Sequence, residues 1–224
     1  MTKPTLIKCW GNPRKAKLYA QWATEHLHGL RSVLDIGAGD GAVAEVLPAG
    51  VVYSGLDIGA DIYNRTGRVH YIEDFPSLRS ALAAHEGADL TTIFDVLEHT
   101  DDFVTLFRDG ARKSEKFLFV SLPNEMSLDC RIRFLLGTPV PAHGLSLLNA
   151  KPGHKHNWLI KYTEAKAILI SEAKSLGFTL HAEVFIVNLP STAWKRLLAQ
   201  FFCALLPADA IAHGIGFVFK RTRD

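Results

Sequence analysis

Residues Ser32-Val33-Leu34-Asp35-Ile36 form a short, mostly apolar run that passes directly into Gly37-Ala38-Gly39-Asp40-Gly41. A run that apolar suits a strand buried on both faces of a parallel sheet. Glycines in the following turn let the backbone approach a ligand closely, and a helix N-terminus behind them would offer free N–H groups. The pattern predicts that helix over 42–47, stopped by Pro48. Asp57 ends the next apolar run, 20 positions after Gly37. A nucleotide-binding βαβ unit puts a carboxylate at that place to accept both ribose hydroxyls. A tight turn with no ligand explains the glycines alone, but not their spacing to Asp57.

The alternation continues along the chain. Strands are expected at 51–57, 69–72, 90–96 and 117–122, and helices at 13–30, 77–85 and 101–111. Such an order calls for right-handed βαβ units and a mainly parallel sheet with helices on both faces. Residues 126–160 break the pattern with prolines, glycines and histidines, and read as an insertion with one helix at 128–136. A helix at 163–176 stops at Gly177, and strands at 180–187 and 216–220 flank an apolar helix at 191–206. The 224 residues, 48% hydrophobic and 21% charged, fit one globular domain spanning 1–224. With 25 basic and 23 acidic residues, the chain lacks the basic excess of a dedicated nucleic-acid binder. Three dispersed cysteines, no apolar leader at the N-terminus and no long apolar span lead us to expect a reducing, cytoplasmic setting.

Two cofactor classes compete for the first unit. Gly37-x-Gly39-x-x-Ala42 also satisfies a dinucleotide fingerprint. Asp35, inside the strand, argues against it, because a carboxylate there would repel a pyrophosphate. A cofactor carrying an ammonium and a sulfonium would tolerate that charge, and S-adenosyl-L-methionine is one. No P-loop motif is present in the sequence.

Five motifs in order resemble the class I S-adenosylmethionine-dependent methyltransferases. They are Val33 through Gly41, Gly55-Leu56-Asp57-Ile58, Tyr71-Ile72-Glu73-Asp74-Phe75, Phe94-Asp95-Val96-Leu97-Glu98-His99 and Val120-Ser121-Leu122-Pro123-Asn124. The resemblance implies a Rossmann-like, doubly wound, seven-stranded α/β sheet. It is mostly parallel, with an antiparallel last strand inserted between 117–122 and 180–187. It implies that Asp35, Gly37, Ala38, Gly39 and Gly41 hold the methionine part, that Asp57 holds the ribose and that Ile58 lies against the adenine. Asp74 and Phe75 would flank the adenine, with Glu73 competing for its amine, while Asp95 and Val96 would line the site.

Methyl transfer from a sulfonium needs position and a dry pocket, and a general base when the acceptor is a hydroxyl. His99, His154 and His156 are the candidates, and each also has an ordinary structural reading as a packed or backbone-bonded histidine. Asp95, Glu98 and His99 resemble a metal pattern of the ubiquinone-biosynthesis O-methyltransferases, though metal is the weaker option. Arg131 and Arg133 would face either solvent or an anionic substrate group. The stretch from Leu122 to Gly137 is similar to MetW-like and glycan-cluster methyltransferases, which points to a small-molecule acceptor, a sugar or a lipid-linked metabolite, and away from nucleic acid. A cofactor-binding partner subunit without turnover is the alternative. The apolar face of 191–206, from Trp194 to Leu206, is expected to pack on the sheet or on the helix at 163–176. The rival expectation is a lid or a peripheral membrane contact.

Overall fold

The computed structural model describes residues 4–11, 13–59, 67–140, 142–143 and 155–222, with the backbone alone at position 198. Strands β1 (Thr5–Trp10), β2 (Ser32–Ile36), β3 (Val52–Ile58), β4 (Val69–Ile72), β5 (Ala88–Phe94), β6 (Ser114–Pro123), β7 (Phe178–Leu189) and β8 (Gly214–Arg221) form one sheet. Its order is β1-β7-β8-β6-β5-β2-β3-β4. Every pairing is parallel except those of β8, which runs antiparallel to both β6 and β7. The inserted last strand is therefore where the sequence led us to expect it, and Phe117–Val120 lies in the interior of the sheet.

One strand exceeds the expected seven. β1 pairs in parallel with β7, from Thr5 opposite Val184 to Trp10 opposite Leu189. Cys9 is buried while its neighbours Lys8 and Trp10 are exposed, the alternation of an edge strand with one covered face.

Seven α-helices accompany the sheet among the described residues: α1 (Lys15–His26), α2 (Phe75–Ala84), α3 (Phe103–Lys113), α4 (Leu128–Leu135), α5 (Tyr162–Ser175), α6 (Ala193–Leu205) and α7 (Ala208–Ile211). Local chemistry fixes several ends. The Asp74 carboxylate accepts the Ser77 N–H at 2.8 Å and starts α2, and Asp102 accepts the Thr105 N–H at 3.0 Å and starts α3. Gly177, at φ +76°, closes α5.

Strand alternation builds two cores. Phe117 and Phe119 of β6 pack with Tyr19 and Trp22 of α1 on one face. Leu118, Val120 and Leu122 of the same strand pack with Leu106, Phe107 and Leu169 of α3 and α5 on the other. Truncating Phe107 or Phe119 to Ala would leave a cavity and cost about 3–5 kcal/mol.

Two expectations are corrected. The segment after the glycine turn is not an α-helix. Only a 3₁₀ turn, Ala44–Val46, forms there. Too few residues separate Gly41 from Pro48 to repay helix nucleation. The apolar face of α6 is not packed away either. Trp194 is 64% exposed and Phe201 58%, and Leu197 and Leu205 are open as well. Among the described side chains of this helix, Ala199 and Cys203 lean on the core. The helix starts beyond the end of β7 and touches both that strand and α7. No helix among the described residues is long and apolar enough to cross a membrane.

Candidate functional site

The carboxyl ends of β2, β3, β4, β5 and β6 converge on one edge of the sheet, and the named motifs lie there. Gly37, Gly39 and Gly41 have φ of +74°, +55° and +79°, a left-handed run that favours glycine. Gly37 has a second reason to lack a side chain, since a Cβ would lie 2.1 Å from Val96 Cγ2. Space is open beside Gly39, where a Cβ would meet nothing within 4 Å. Ala38 is buried against Gly55 of β3.

Asp57 closes this turn from β3. Its carboxylate accepts the N–H of Gly39 through one oxygen and that of Ile58, at 2.6 Å, through the other. Partial burial raises its pKa above the usual carboxylate range, against the pull of those two amides. A carboxylate has about four lone-pair sites, so two acceptor positions are left for a ligand. Ile58 is exposed next to it, an apolar shelf on the outside of the turn. Tyr71 of β4 donates its hydroxyl to the Gly39 carbonyl at 2.6 Å and ties the turn to a third strand.

Asp35 sits differently from the expectation of a cofactor contact. It is 2% exposed, lies opposite Gly55 on β3 and Thr92 on β5, and its two oxygens accept the Tyr53 hydroxyl at 2.9 Å and the Thr92 hydroxyl at 2.6 Å. Burial pushes its pKa up to about 7, with the Asp57 charge adding to the rise and the two hydroxyls opposing it. Tyr53 reaches Asp35 by crossing over Gly55, where a Cβ would lie 2.7 Å from its hydroxyl. Asp35 thus braces the turn from beneath. Asp74 is an exposed helix cap, and Phe75 packs beside it on the core.

At the end of β5, Asp95 takes φ +53°, strained for a non-glycine residue. It accepts the Ser121 hydroxyl at 2.9 Å and pairs with the Lys15 ammonium at 2.5 Å. Burial works against the Lys15 charge, but Asp95 outweighs it and raises its pKa. Lys15, from the first turn of α1, is a site residue that sequence reasoning missed.

Beyond Asp95 the chain builds a second cluster. Glu98 is buried, and burial, reinforced by the Asp95 charge, drives its pKa well up. The His99 Nδ1 faces the Lys155 carbonyl at 2.9 Å. Asn157 donates its N–H to the Glu98 carbonyl at 2.7 Å, and Trp158 donates to the Thr100 carbonyl at 2.7 Å, fastening 155–160 onto 98–101. That seam brings His156 against His99, ring centroids 4.7 Å apart. Glu125, after β6, accepts from His156 Nδ1 at 2.7 Å, His143 Nε2 at 2.8 Å and the Ile160 N–H at 2.8 Å. Against the burial that favours its neutral form, these partners hold its pKa down. His154 lies outside the described residues. The metal pattern expected from Asp95, Glu98 and His99 does not assemble, because Asp95 is committed to Lys15 and Ser121.

On the outer side, a cavity of about 600 Å³ is walled by Met126, Cys130, Phe134, Leu135, Val140 and Leu159. Arg131 donates to the Met126 carbonyl and Arg133 pairs with Asp129 at 2.8 Å, so neither stands apart as an anion hook.

No family model and no curated protein matches the sequence. Solved structures do match. A SAM-dependent methyltransferase from Archaeoglobus fulgidus superimposes with a TM-score of 0.61 at 20% identity, covering 92% of this chain and 93% of that one. Magnesium protoporphyrin IX methyltransferase from Synechocystis PCC 6803, with bound SAH, gives 0.53 at 16% identity over 93% and 82%. The plantazolicin methyltransferase BamL, in complex with a triazolic desmethylPZN analog and SAH, gives 0.56 at 13% identity over 93% and 84%. The chain therefore has the α/β fold of these methyltransferases.

Proposed function

We propose that this chain is a methyltransferase that uses S-adenosyl-L-methionine and modifies a small, predominantly apolar acceptor, lipid-linked or membrane-borne. One observation carries the cofactor: Asp57, anchored on the Gly39 amide, presents unused acceptor positions beside a glycine turn with open space above it. That arrangement fits a ribose diol with a bulky group passing close to the backbone. Asp57, the carboxylate with open acceptor positions at this edge, suits a cationic ligand and opposes a pyrophosphate. The bound cofactor would supply the activated methyl group. The protein's part is to hold the donor, orient the acceptor and exclude water.

In this reading the Gly37–Gly41 backbone cradles the amino-acid end, Asp57 takes the ribose hydroxyls and Ile58 packs on the base. Asp95 and Lys15 flank the place where the acceptor meets the methyl group. The histidines His99 and His156 lie beyond Asp95 at the same edge and are groups able to accept a proton from a hydroxyl acceptor.

The acceptor class rests on the outer surface. Phe134 and Leu135 of α4 are 71% and 84% exposed, and with Trp194, Leu197 and Phe201 of α6 they make an apolar surface on two helices that both pack on α7. Lys195 and Arg196 of α6 border it, a pairing of an apolar face with a cationic flank that matches an anionic lipid surface. The test is transfer of isotope-labelled methyl groups from S-adenosylmethionine to extracted lipid-phase metabolites, with and without anionic vesicles. Labelled product in the lipid phase supports the reading. Label only in water-soluble sugars would overturn the acceptor class, and tight cofactor binding with no transfer to any extract would favour a partner subunit.

A further inference from the structure

Among the described residues, one carboxylate lines the outer cavity of about 600 Å³, that of Glu125, between walls from Met126, Cys130, Val140 and Leu159. A space of this size suits a small molecule. Burial is graded along it. Glu125 is 5% exposed, whereas Phe134 and Leu135 on the same lining are largely open and belong to the apolar surface of α4. The cavity therefore runs from that open surface to an enclosed carboxylate. The chain sets this carboxylate firmly. Asn124, one residue before it, donates its side-chain N–H groups to the Asp209 and Ala212 carbonyls at 2.6 and 2.9 Å. Glu125 Oε1 accepts from His143 Nε2 and His156 Nδ1, and Oε2 accepts the Ile160 N–H. These donors keep the group ionised against its burial. A carboxylate has about four lone-pair sites, so Oε2 keeps one acceptor position open. Lys15 and Glu98 feel the Glu125 charge, which puts it beside the edge where methyl transfer is proposed.

We propose that this cavity holds the methyl acceptor and that the acceptor is an uncharged alcohol with an apolar chain, its hydroxyl donating to Glu125 Oε2. The inference rests on the methyl-transfer reading and names the chemistry of the acceptor. Counting donors selects the head group. A hydroxyl brings one donor, and one acceptor position is open to it. A primary ammonium brings three, two of which would stay unmet among apolar walls, and buried donors are costly to leave unmet. A carboxylate head brings no donor and would meet Glu125 as a like charge. The cation on the lining, Arg131, is exposed and its Nε donates to the Met126 carbonyl at 2.8 Å, so it does not offset that repulsion at the enclosed end. The tail follows from the walls. Met126, Val140 and Leu159 offer a chain apolar contacts, and the mouth at Phe134 and Leu135 opens on the surface proposed to meet lipid.

The probe is 1-octanol, set against octanoate and octylamine, each titrated calorimetrically into the full-length protein at neutral pH. One-to-one binding of octanol is expected, with octanoate and octylammonium each at least about 10-fold weaker. Val140→Trp, which fills the cavity from a half-buried wall, should weaken octanol binding at least about 10-fold. It should also lower methyl transfer to the lipid phase while the affinity for S-adenosylmethionine stays the same. Glu125→Gln should bring octanol and octanoate within about 3-fold of each other, because the like charge is gone. Circular dichroism checks the fold of both variants, and the selectivity of the parent protein is a test that needs neither. Octanol that does not bind, octanol that binds no better than octanoate or octylammonium, or lipid-phase transfer that Val140→Trp leaves intact would overturn the inference and leave the methyl-transfer reading standing. Selective octanol binding by a protein that transfers no methyl group would overturn that reading and leave the ligand class of the cavity standing.

Discussion

Gly37 faces Val96 so closely that a Cβ on the glycine would lie 2.1 Å from the valine Cγ2. The glycine turn after β2 and the bend after β5 are thereby locked at one separation, which sets the width of the groove between them. Gly37→Ala should cost about 2–4 kcal/mol, from the left-handed φ together with overpacking. Urea denaturation reads the loss. The double variant Gly37→Ala with Val96→Ala should recover the packing part and leave the backbone part.

Asp35 makes stability depend on pH. Its folded pKa is about 7, against about 3.9 for an unfolded aspartate. Between these values the folded chain keeps a proton that the unfolded chain has released, so this contribution falls as pH rises. It is fully present below about pH 4 and lost above about pH 7, a span of about 4 kcal/mol. Asp35→Asn should flatten the slope and raise the urea midpoint at pH 8. A parent protein whose midpoint rises steadily from pH 4 to pH 7, with the variant following in parallel, would contradict this assignment.

Lys15 and Asp95 should be coupled. Lys15→Met leaves the Asp95 carboxylate at positive φ with only Ser121 as a side-chain partner, and a double-mutant cycle with Asp95→Asn should return a coupling of about 0.5–3 kcal/mol in denaturation. In the proposed reaction the same substitution should lower kcat more than it changes the affinity for the donor, because Lys15 borders the acceptor side.

The outer helices give a separate prediction. Anionic vesicles should sediment the parent protein at low salt and release it at high salt. Leu135→Glu together with Phe201→Glu, both at exposed positions, should abolish sedimentation without changing the melting temperature by more than a few degrees. Unchanged sedimentation would mean that these helices do not carry the contact.

What the sequence disclosed follows from how local each feature is. The β2 run, its glycines and Asp57 are a contiguous pattern whose spacing is set by one βαβ unit, so both the turn and its closing carboxylate were legible. Asp35 was legible as a carboxylate, but not as a buried brace. Its partners Tyr53 and Thr92 come from neighbouring strands, and only the register puts them opposite it. Lys15 and Glu125 were missed for the same reason. α1 lies far before β5 in sequence, and its first turn meets Asp95 only once the sheet has formed. His156 was flagged without its setting, because the Asn157 and Trp158 side chains that seam it to 98–101 bond mainly to backbone carbonyls more than 50 residues away in sequence. β1 was illegible because a short edge strand with Lys8 and Trp10 outward lacks a continuous apolar run. The apolar stripe of α6 was read correctly as a face, but amphipathicity does not say whether protein or lipid covers it.

Calorimetric titration of S-adenosylmethionine into the parent protein and into Asp57→Ala tests the central claim most directly. The account predicts one-to-one binding by the parent and a loss of about 30- to 1,000-fold in the variant, the equivalent of two charge-assisted hydrogen bonds at about 2–4 kcal/mol. Because Asp57 also holds Gly39 and Ile58, the variant should be slightly less stable yet folded, and Asp57→Asn should recover part of the affinity. No binding by the parent, or equal affinity in the parent and in a folded Asp57→Ala, would contradict the account.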